Sequence, residues 1–519
     1  MASTTRRIAC TNPRAAPKQT PDKGLGLFAT SQIRPRENIF AIIANFATVL
    51  DIERLHDTCS NCFATIGDEV NPDLALKACT GCHVVRYCDR GCQSESWAAS
   101  HKKECKIYKN YQPSILPMNV RAVLRMISPP DDKTAKERYD NHCEEFRTLG
   151  HHFSKMKQRG GEQVNRITAA AEGLKAISNT DIDLPILVAY FAKLETNAFT
   201  LTNQYFDRIG LCFLPFASYI NHSCQPNAYI GFDGPVMYLK ALQDIAPDEQ
   251  LYISYIDNTE PFQTRQTELQ LQYFFECKCP KCLEGTTGRE DQFLTSEGPS
   301  SSSPEREARE LLSKSKKPEE GAKASIQRIE VAFALLSSTK CWPITRQPFP
   351  QLLDELIVTL LDANCYESAF IPTAIRYLNI DPVLYPNRLH PIRKRNTWAL
   401  AKLLRCVNGP LDSNPSPPTP QVDQLQPDFA WIWFSLLHGL VETYDDTLRL
   451  QLLLNAEFQG ICDDMMRHGA DFKTADGRRQ NKMAIDSAMQ NLRRVADEEL
   501  SRLNNDGLSG VTSLLGSLD

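Results

Sequence analysis

The 519-residue chain has no stretch that approaches the ~18 consecutive apolar residues needed to span a bilayer. Its start, MASTTRRIACTNPRAAPKQT, has a pair of adjacent arginines but no apolar run behind them, so it does not read as a secretory signal. An excess of positive charge is also missing. With 58 Lys and Arg against 63 Asp and Glu, the formal net charge is -5, which argues against a broad footprint on nucleic-acid phosphates. These absences lead us to expect a soluble intracellular protein with no membrane association and no direct nucleic-acid binding. The remaining composition, 42% hydrophobic and 23% charged, is that of an ordinary globular chain long enough for roughly three domains.

What the chain has in quantity is cysteine, 18 in all. Disulfides are rare in reducing compartments, and clustered thiols there read as metal ligands. The first cluster is Cys59-x2-Cys62, Cys79-x2-Cys82, Cys88-x3-Cys92 and His101-x3-Cys105. Thiolates two residues apart grip one tetrahedral zinc from a tight turn, and an i, i+4 pair on a helix points both ligands to one side. Eight ligands make two closed sites with no open coordination position, so the metal is expected to be structural. The competing interpretation is a set of buried free thiols. His83, beside Cys82, competes as a ligand, but His101 shares a helix with Cys105 and has the better geometry. The run Lys102, Lys103, Lys106 and Lys109 could steer acidic partners or nucleic acid, or simply solvate a helix face.

Other elements follow from periodicity. NIFAIIA, VMYLKAL and LYISYI read as short strands, the last two joined across QDIAPDEQ with turn chemistry at Pro247 and Asp248. The stretch from Thr134 to Ala192 is helical in pattern. After Cys282 the polar segment EGTTGREDQFLTSEGPSSSSPEREARE reads as a flexible linker over 284–322. Beyond it, Leu352, Leu353, Leu356, Ile357, Leu360 and Leu361 recur on one helix face. Similar runs at Trp398 to Leu404, Trp431 to Leu440, Leu448 to Phe458 and Met483 to Leu500 indicate an all-helical domain over 323–519.

The stretch SYINHSCQPNAYI sets Asn221, His222, Ser223 and Cys224 in succession. Locally it admits a nucleophile, a metal ligand or a bend in a ligand pocket. Upstream, DKGLGLFAT offers glycine turns beside Lys23, whose freed backbone N–H groups can approach an anionic group. Downstream lie EQLYISY (Glu249 to Tyr255) and CKCPKC (Cys277 to Cys282). Alone, each has a bland alternative: Tyr255 as a strand aromatic, Phe275 as core, Asn221 as a turn cap.

In this order the four motifs resemble those of SET-domain protein lysine methyltransferases. The inserted cluster, with Tyr87-Cys88 and CQSESWAASHKKEC, resembles a MYND zinc finger. The whole is similar to the SET-and-MYND-domain family. The likeness is strongest over 20–283 and weaker over the C-terminal third, where YPNRLHPIRKRNTWALAKLL resembles the family's helical domain.

This resemblance implies an α+β fold. A β-rich SET core with a pseudo-knot is split (5–58 and 196–256) by the finger (59–105) and a helical insert (106–195), followed by a cysteine-rich segment (257–283) and an all-α domain. It also implies S-adenosylmethionine as methyl donor and three zinc ions. Cys59, Cys62, Cys88 and Cys92 would hold one zinc, and Cys79, Cys82, His101 and Cys105 the second. Cys277, Cys279 and Cys282 would hold the third with Cys224 completing the set. Lys23, Gly24, Leu25, His152, Asn197, Asn221, His222 and Phe275 would bind the donor. Tyr255 would be the principal catalytic residue, with Phe199 and Tyr273 walling the lysine channel. Ala198 departs from the family's Asn-Ser-Phe pattern, and the 16 residues between Cys62 and Cys79 exceed the usual spacing and predict a protruding loop. The implied function is methyl transfer to lysine in histone or non-histone proteins by a monomer in nucleus and cytoplasm, with proline-rich peptides as partners of the finger. The rival is a MYND adaptor that keeps a SET scaffold with weak or no activity.

Overall fold

The computed structural model describes residues 10–69, 72–291, 302–315, 321–339, 342–408, 420–443 and 449–505. Parts of the expected linker (292–301 and 316–320), Leu448, and the ends at 5–9 and 506–519 lie outside the described residues. The chain divides into two compact units. The first comprises 1–256, 266–279 and 446–453, and the second comprises 257–265, 280–445 and 454–519.

The first unit holds small sheets around one apolar core. The strands in chain order are β1 (Ala15–Thr20), β2 (Gly24–Ala29), β3 (Asn38–Ile43), β4 (Ala47–Leu50), β5 (Lys77–Ala78) and β6 (Arg86–Tyr87). Then follow β7 (Phe199–Thr202), β8 (Arg208–Phe213), β9 (Asn221–His222), β10 (Ala228–Asp233), β11 (Val236–Ala241) and β12 (Tyr252–Ile253). VMYLKA of β11 is buried along its whole length because it lies between β10 and β3, antiparallel to both. Its link to β10 is a two-residue turn in which Gly234 takes φ 58°, a conformation glycine adopts without penalty. Helices Lys133–Thr148 and Leu184–Asn197 meet the β4-β8-β7 sheet through aromatic packing: Phe146 lies 4.7 Å from Tyr190 and 5.6 Å from Phe213 between ring centroids.

One strand expectation changes partner. VMYLKAL and LYISYI both contain strands, but they do not pair with each other. β12 instead runs parallel to β9, with Tyr252 opposite Asn221 and Ile253 opposite His222. Asn227 explains the crossing: its Oδ1 accepts the Tyr252 N–H at 2.8 Å, and its Nδ2 donates to the Gln250 carbonyl at 2.9 Å.

In the second unit the leucine-rich periods form helices. Phe349–Asp362 buries Leu352, Leu353, Leu356 and Leu360, and Pro391–Val407, Phe429–Thr443 and Ala475–Asn505 cover three of the other runs. The expected flexible linker is corrected in part, because Ser302–Ser315 is a helix and Gly321–Ser337 begins inside the segment. Polar composition concealed a narrow apolar stripe in which Ala308 and Leu312 are buried, while Arg309 pairs with Glu305 at 3.0 Å and Glu260 at 2.9 Å. Among the described residues, no helix is long and apolar enough to cross a membrane.

Candidate active site and metal centres

A cavity of about 670 Å³ opens in the first unit, a size suited to a small-molecule ligand. Its first wall is the turn from β1 into β2. The Thr20 hydroxyl accepts the Lys23 N–H at 3.0 Å and donates to the Gly24 carbonyl at 2.8 Å, while Gly24 takes φ 70°. A Cβ on Gly26 would sit 2.2 Å from Gln250 Nε2 and 2.9 Å from Asn221 Nδ2, so a larger residue there would displace both side chains. Asn221 crosses to this wall and donates from Nδ2 to the Leu25 carbonyl at 3.2 Å. Lys23, Gly24, Leu25 and Asn221 thus line one side together.

The opposite side is aromatic. The Tyr255 hydroxyl donates to the Ile220 carbonyl, the Tyr273 ring lies 4.8 Å away, and the Tyr273 hydroxyl donates to the Tyr255 carbonyl at 3.4 Å. Burial, reinforced by Tyr273, pushes the Tyr255 phenol well above its ordinary range and keeps it neutral. Phe275 lies 6.0 Å from the His222 ring. His222 is buried and has both ring nitrogens engaged. Nδ1 accepts the Tyr255 N–H at 3.0 Å, so Nε2 carries the proton and points it at Cys224 Sγ, 3.3 Å away. One imidazole therefore connects the cavity tyrosine to the third cysteine cluster.

His152 and Asn197 also line the cavity. Burial, with Lys155 and His151 nearby, lowers the His152 pKa and favours the neutral ring. Asn197 donates to the Lys193 carbonyl at 2.9 Å. Phe199 is not among the residues that line this cavity. It opens β7, pairs with Cys212 and packs half-buried against the apolar core. Sequence reasoning missed the charged lining residues Asp22, Lys155, Glu276 and Lys278, which no periodicity marks. It also missed Asn227 as the anchor of the β9–β12 crossing. Ser223, without an assigned role, closes the turn by donating to the Gln225 carbonyl at 3.0 Å.

The twelve predicted metal ligands gather into three sets: Cys59, Cys62, Cys88 and Cys92; Cys79, Cys82, His101 and Cys105; and Cys224, Cys277, Cys279 and Cys282. Within each set the ligand atoms lie within 4.8 Å of one another. Four sulfurs around one zinc at about 2.3 Å stand roughly 3.8 Å apart. Cys62 and Cys88 are separated by 3.7 Å, and Cys79 and Cys105 by 3.8 Å. The donors are thiols and one imidazole with no carboxylate, which fits zinc. A Cβ on Gly81 would lie 2.8 Å from Cys105 Sγ, so that turn needs glycine. His83 is exposed and outside all three sets. In the long loop after Cys62, Asp68 accepts from the Tyr205 hydroxyl at 2.9 Å and from Gln204 Nε2 at 2.8 Å.

Glu104 is fully buried beside the second set. It receives Arg125 through two bonds of 2.8 and 3.0 Å and faces His101 Nδ1 at 3.7 Å, leaving Nε2 toward Cys79 at 3.4 Å. At 3.7 Å the carboxylate is a charged neighbour of that ring rather than its hydrogen-bond acceptor, and carboxylates placed behind a metal-binding histidine raise its basicity. Glu104→Gln is expected to weaken metal retention about 10- to 100-fold in chelator competition. Unchanged retention would show that the carboxylate serves Arg125 alone.

The family model described as SET domain matches residues 24–256. Among curated relatives, the chain is 28% identical over 384 residues to "SET domain and MYND-type zinc finger protein 6" of Schizosaccharomyces pombe, covering 74% of this chain and 70% of that protein. It is 32% identical over 267 residues to human "Histone-lysine N-methyltransferase SMYD3", covering 51% of this chain and 60% of that one. To "N-lysine methyltransferase SMYD2-B" of Danio rerio it is 29% identical over 270 residues, 51% of this chain and 58% of the relative. With its two finger clusters in place, the chain is similar to proteins that combine a SET domain with a MYND zinc finger.

Proposed function

We propose that the chain is a protein-lysine N-methyltransferase that uses S-adenosylmethionine and holds three structural zinc ions. The observation that carries this reading is the convergence of Lys23 to Leu25, Asn221, Tyr255 and Phe275 on one cavity. The names of the SMYD3 and SMYD2-B relatives support it.

S-adenosylmethionine, when bound, supplies a methyl group on a positively charged sulfur. The Lys23 to Leu25 turn and Asn221 suit its amino-acid end, the cradle around Gly26 leaves no space for a larger residue, and Phe275 suits stacking on adenine. Tyr255 has committed its proton to the Ile220 carbonyl, so its oxygen offers lone pairs rather than a base. It accepts from the substrate amine and from the polarised methyl C–H, which orients the displacement. A free lysine titrates near about 10.4, and removal from water on entering the site disfavours its ammonium form, easing loss of the proton that direct displacement requires.

The substrate is a lysine side chain of a protein, with histone and non-histone proteins both admitted, and we expect the enzyme in nucleus and cytoplasm. The finger, where Trp97 is 42% exposed, suits proline-rich peptide partners. The test is incubation of the full chain with labelled donor and cell extract, followed by mass spectrometry. Labelled lysines support the reading. Donor binding without labelling, or no donor binding at all, favours the adaptor.

A further inference from the structure

The segment Tyr273 to Phe275 supplies an aromatic wall of the cavity, yet its middle residue, Phe274, takes a left-handed backbone (φ 64°) that a bulky side chain rarely adopts. Something must hold it there. The helix Phe153–Arg159 of the helical insert packs on this segment from several directions. Its N-cap, His152, is itself left-handed (φ 49°) and stacks on Phe274 at 5.3 Å with a 22° interplanar angle. The Arg159 guanidinium lies 4.8 Å from the centre of the same ring. Arg159 also donates to the carbonyls of Leu271 at 2.7 Å and Gln270 at 2.9 Å, which belong to the end of helix Phe262–Gln272. Lys155 Nζ reaches the Phe274 carbonyl at 3.4 Å.

We propose that Arg159 is a positioning residue for the methyl donor: by clamping Phe274 and the preceding helix end, it sets Tyr273 and Phe275 in the cavity wall. The inference rests on the methyltransferase reading above. A cation at a helix C-terminus satisfies carbonyls that the helix leaves unpaired, and a guanidinium with several donors does this while keeping a flat face for the ring. Lysine at 159 would keep the charge and lose the fork. The insert thereby takes part in donor binding although Arg159 itself stays outside the cavity lining.

The test uses the full chain with Arg159→Ala, Arg159→Lys and, as a control in the same insert, Arg166→Ala, whose partner is the surface residue Glu195. Titration with S-adenosylhomocysteine and steady-state kinetics are read beside the melting temperature. Arg159→Ala is expected to raise donor KM and the S-adenosylhomocysteine Kd about tenfold while kcat changes less than about threefold, with Arg159→Lys intermediate and Arg166→Ala unchanged. Should the alanine variant fail to fold, the lysine variant decides on the same scale. Donor affinity equal to wild type in the folded variants overturns the inference, as does a fall confined to melting temperature and kcat. If the wild-type chain itself binds no S-adenosylhomocysteine, the methyltransferase reading falls, and the inference falls with it for that separate reason.

Discussion

Tyr255→Phe lowers kcat about 10²- to 10³-fold while donor affinity stays within about twofold of wild type, the range seen when one preorganised hydrogen-bonding group is removed from an active site. The phenol oxygen is the only atom lost, and its hydrogen bond runs to the Ile220 carbonyl rather than toward the Lys23 to Leu25 wall. Ring packing against Tyr273 at 4.8 Å and Phe275 at 6.5 Å is retained by phenylalanine, so the cavity keeps its shape. What disappears is the acceptor that orients the amine. Because burial holds the phenol neutral, the rise of rate with pH belongs to the substrate lysine, and the mutant profile should keep the shape of the wild-type profile at a lower level. Single-turnover rates with saturating donor, measured across pH, check both statements. Equal rates would remove Tyr255 from its assigned role. A shifted profile would mean that Tyr255 titrates during turnover.

The parts of this architecture legible in the sequence are those where chemistry dictates local spacing. Cys59-x2-Cys62 and His101-x3-Cys105 announce ligand pairs because a turn and one helical step fix where the donors point. The helices that bury Leu352, Leu353 and Leu356 announce themselves through one apolar face. The β9–β12 pairing is different in kind. Each strand has two residues, too short for any period, and Asn227 defines the crossing through side-chain bonds to main-chain groups more than twenty residues away. The helix Ser302–Ser315 was hidden because serine and glutamate dominate it, and its stripe is only as wide as Ala308 and Leu312. Phe199, assigned to the channel by its motif, lies half-buried on β7 opposite Cys212, a placement that no local period announces. Nor does composition foretell left-handed backbone at His152 and Phe274, since neither is glycine and tertiary contacts impose the conformation.

If the three cysteine sets each hold the proposed zinc, Cys224→Ser should release one ion, destabilise the fold by about 3 kcal/mol or more, and weaken donor binding. As a ligand it completes the set with Cys277, Cys279 and Cys282, all buried. A serine hydroxyl stays protonated where a thiol ionises, so it cannot replace the fourth thiolate around zinc. Three thiols then remain buried around an incomplete site, and the cysteine segment that follows the Tyr273 to Phe275 wall loses its anchor. The second consequence passes through His222. Its Nε2–H points at Cys224 Sγ from 3.3 Å while its Nδ1 accepts the Tyr255 N–H at 3.0 Å, so loss of the thiolate frees the ring that fixes the backbone of Tyr255. Metal content by mass spectrometry should fall from three ions to two, and donor affinity should fall about tenfold with it. His222→Gln separates the two effects: all three ions should remain while kcat drops. Retention of three ions by Cys224→Ser would take this residue out of the metal site, and a full metal loss with unchanged kinetics would break the proposed connection through His222.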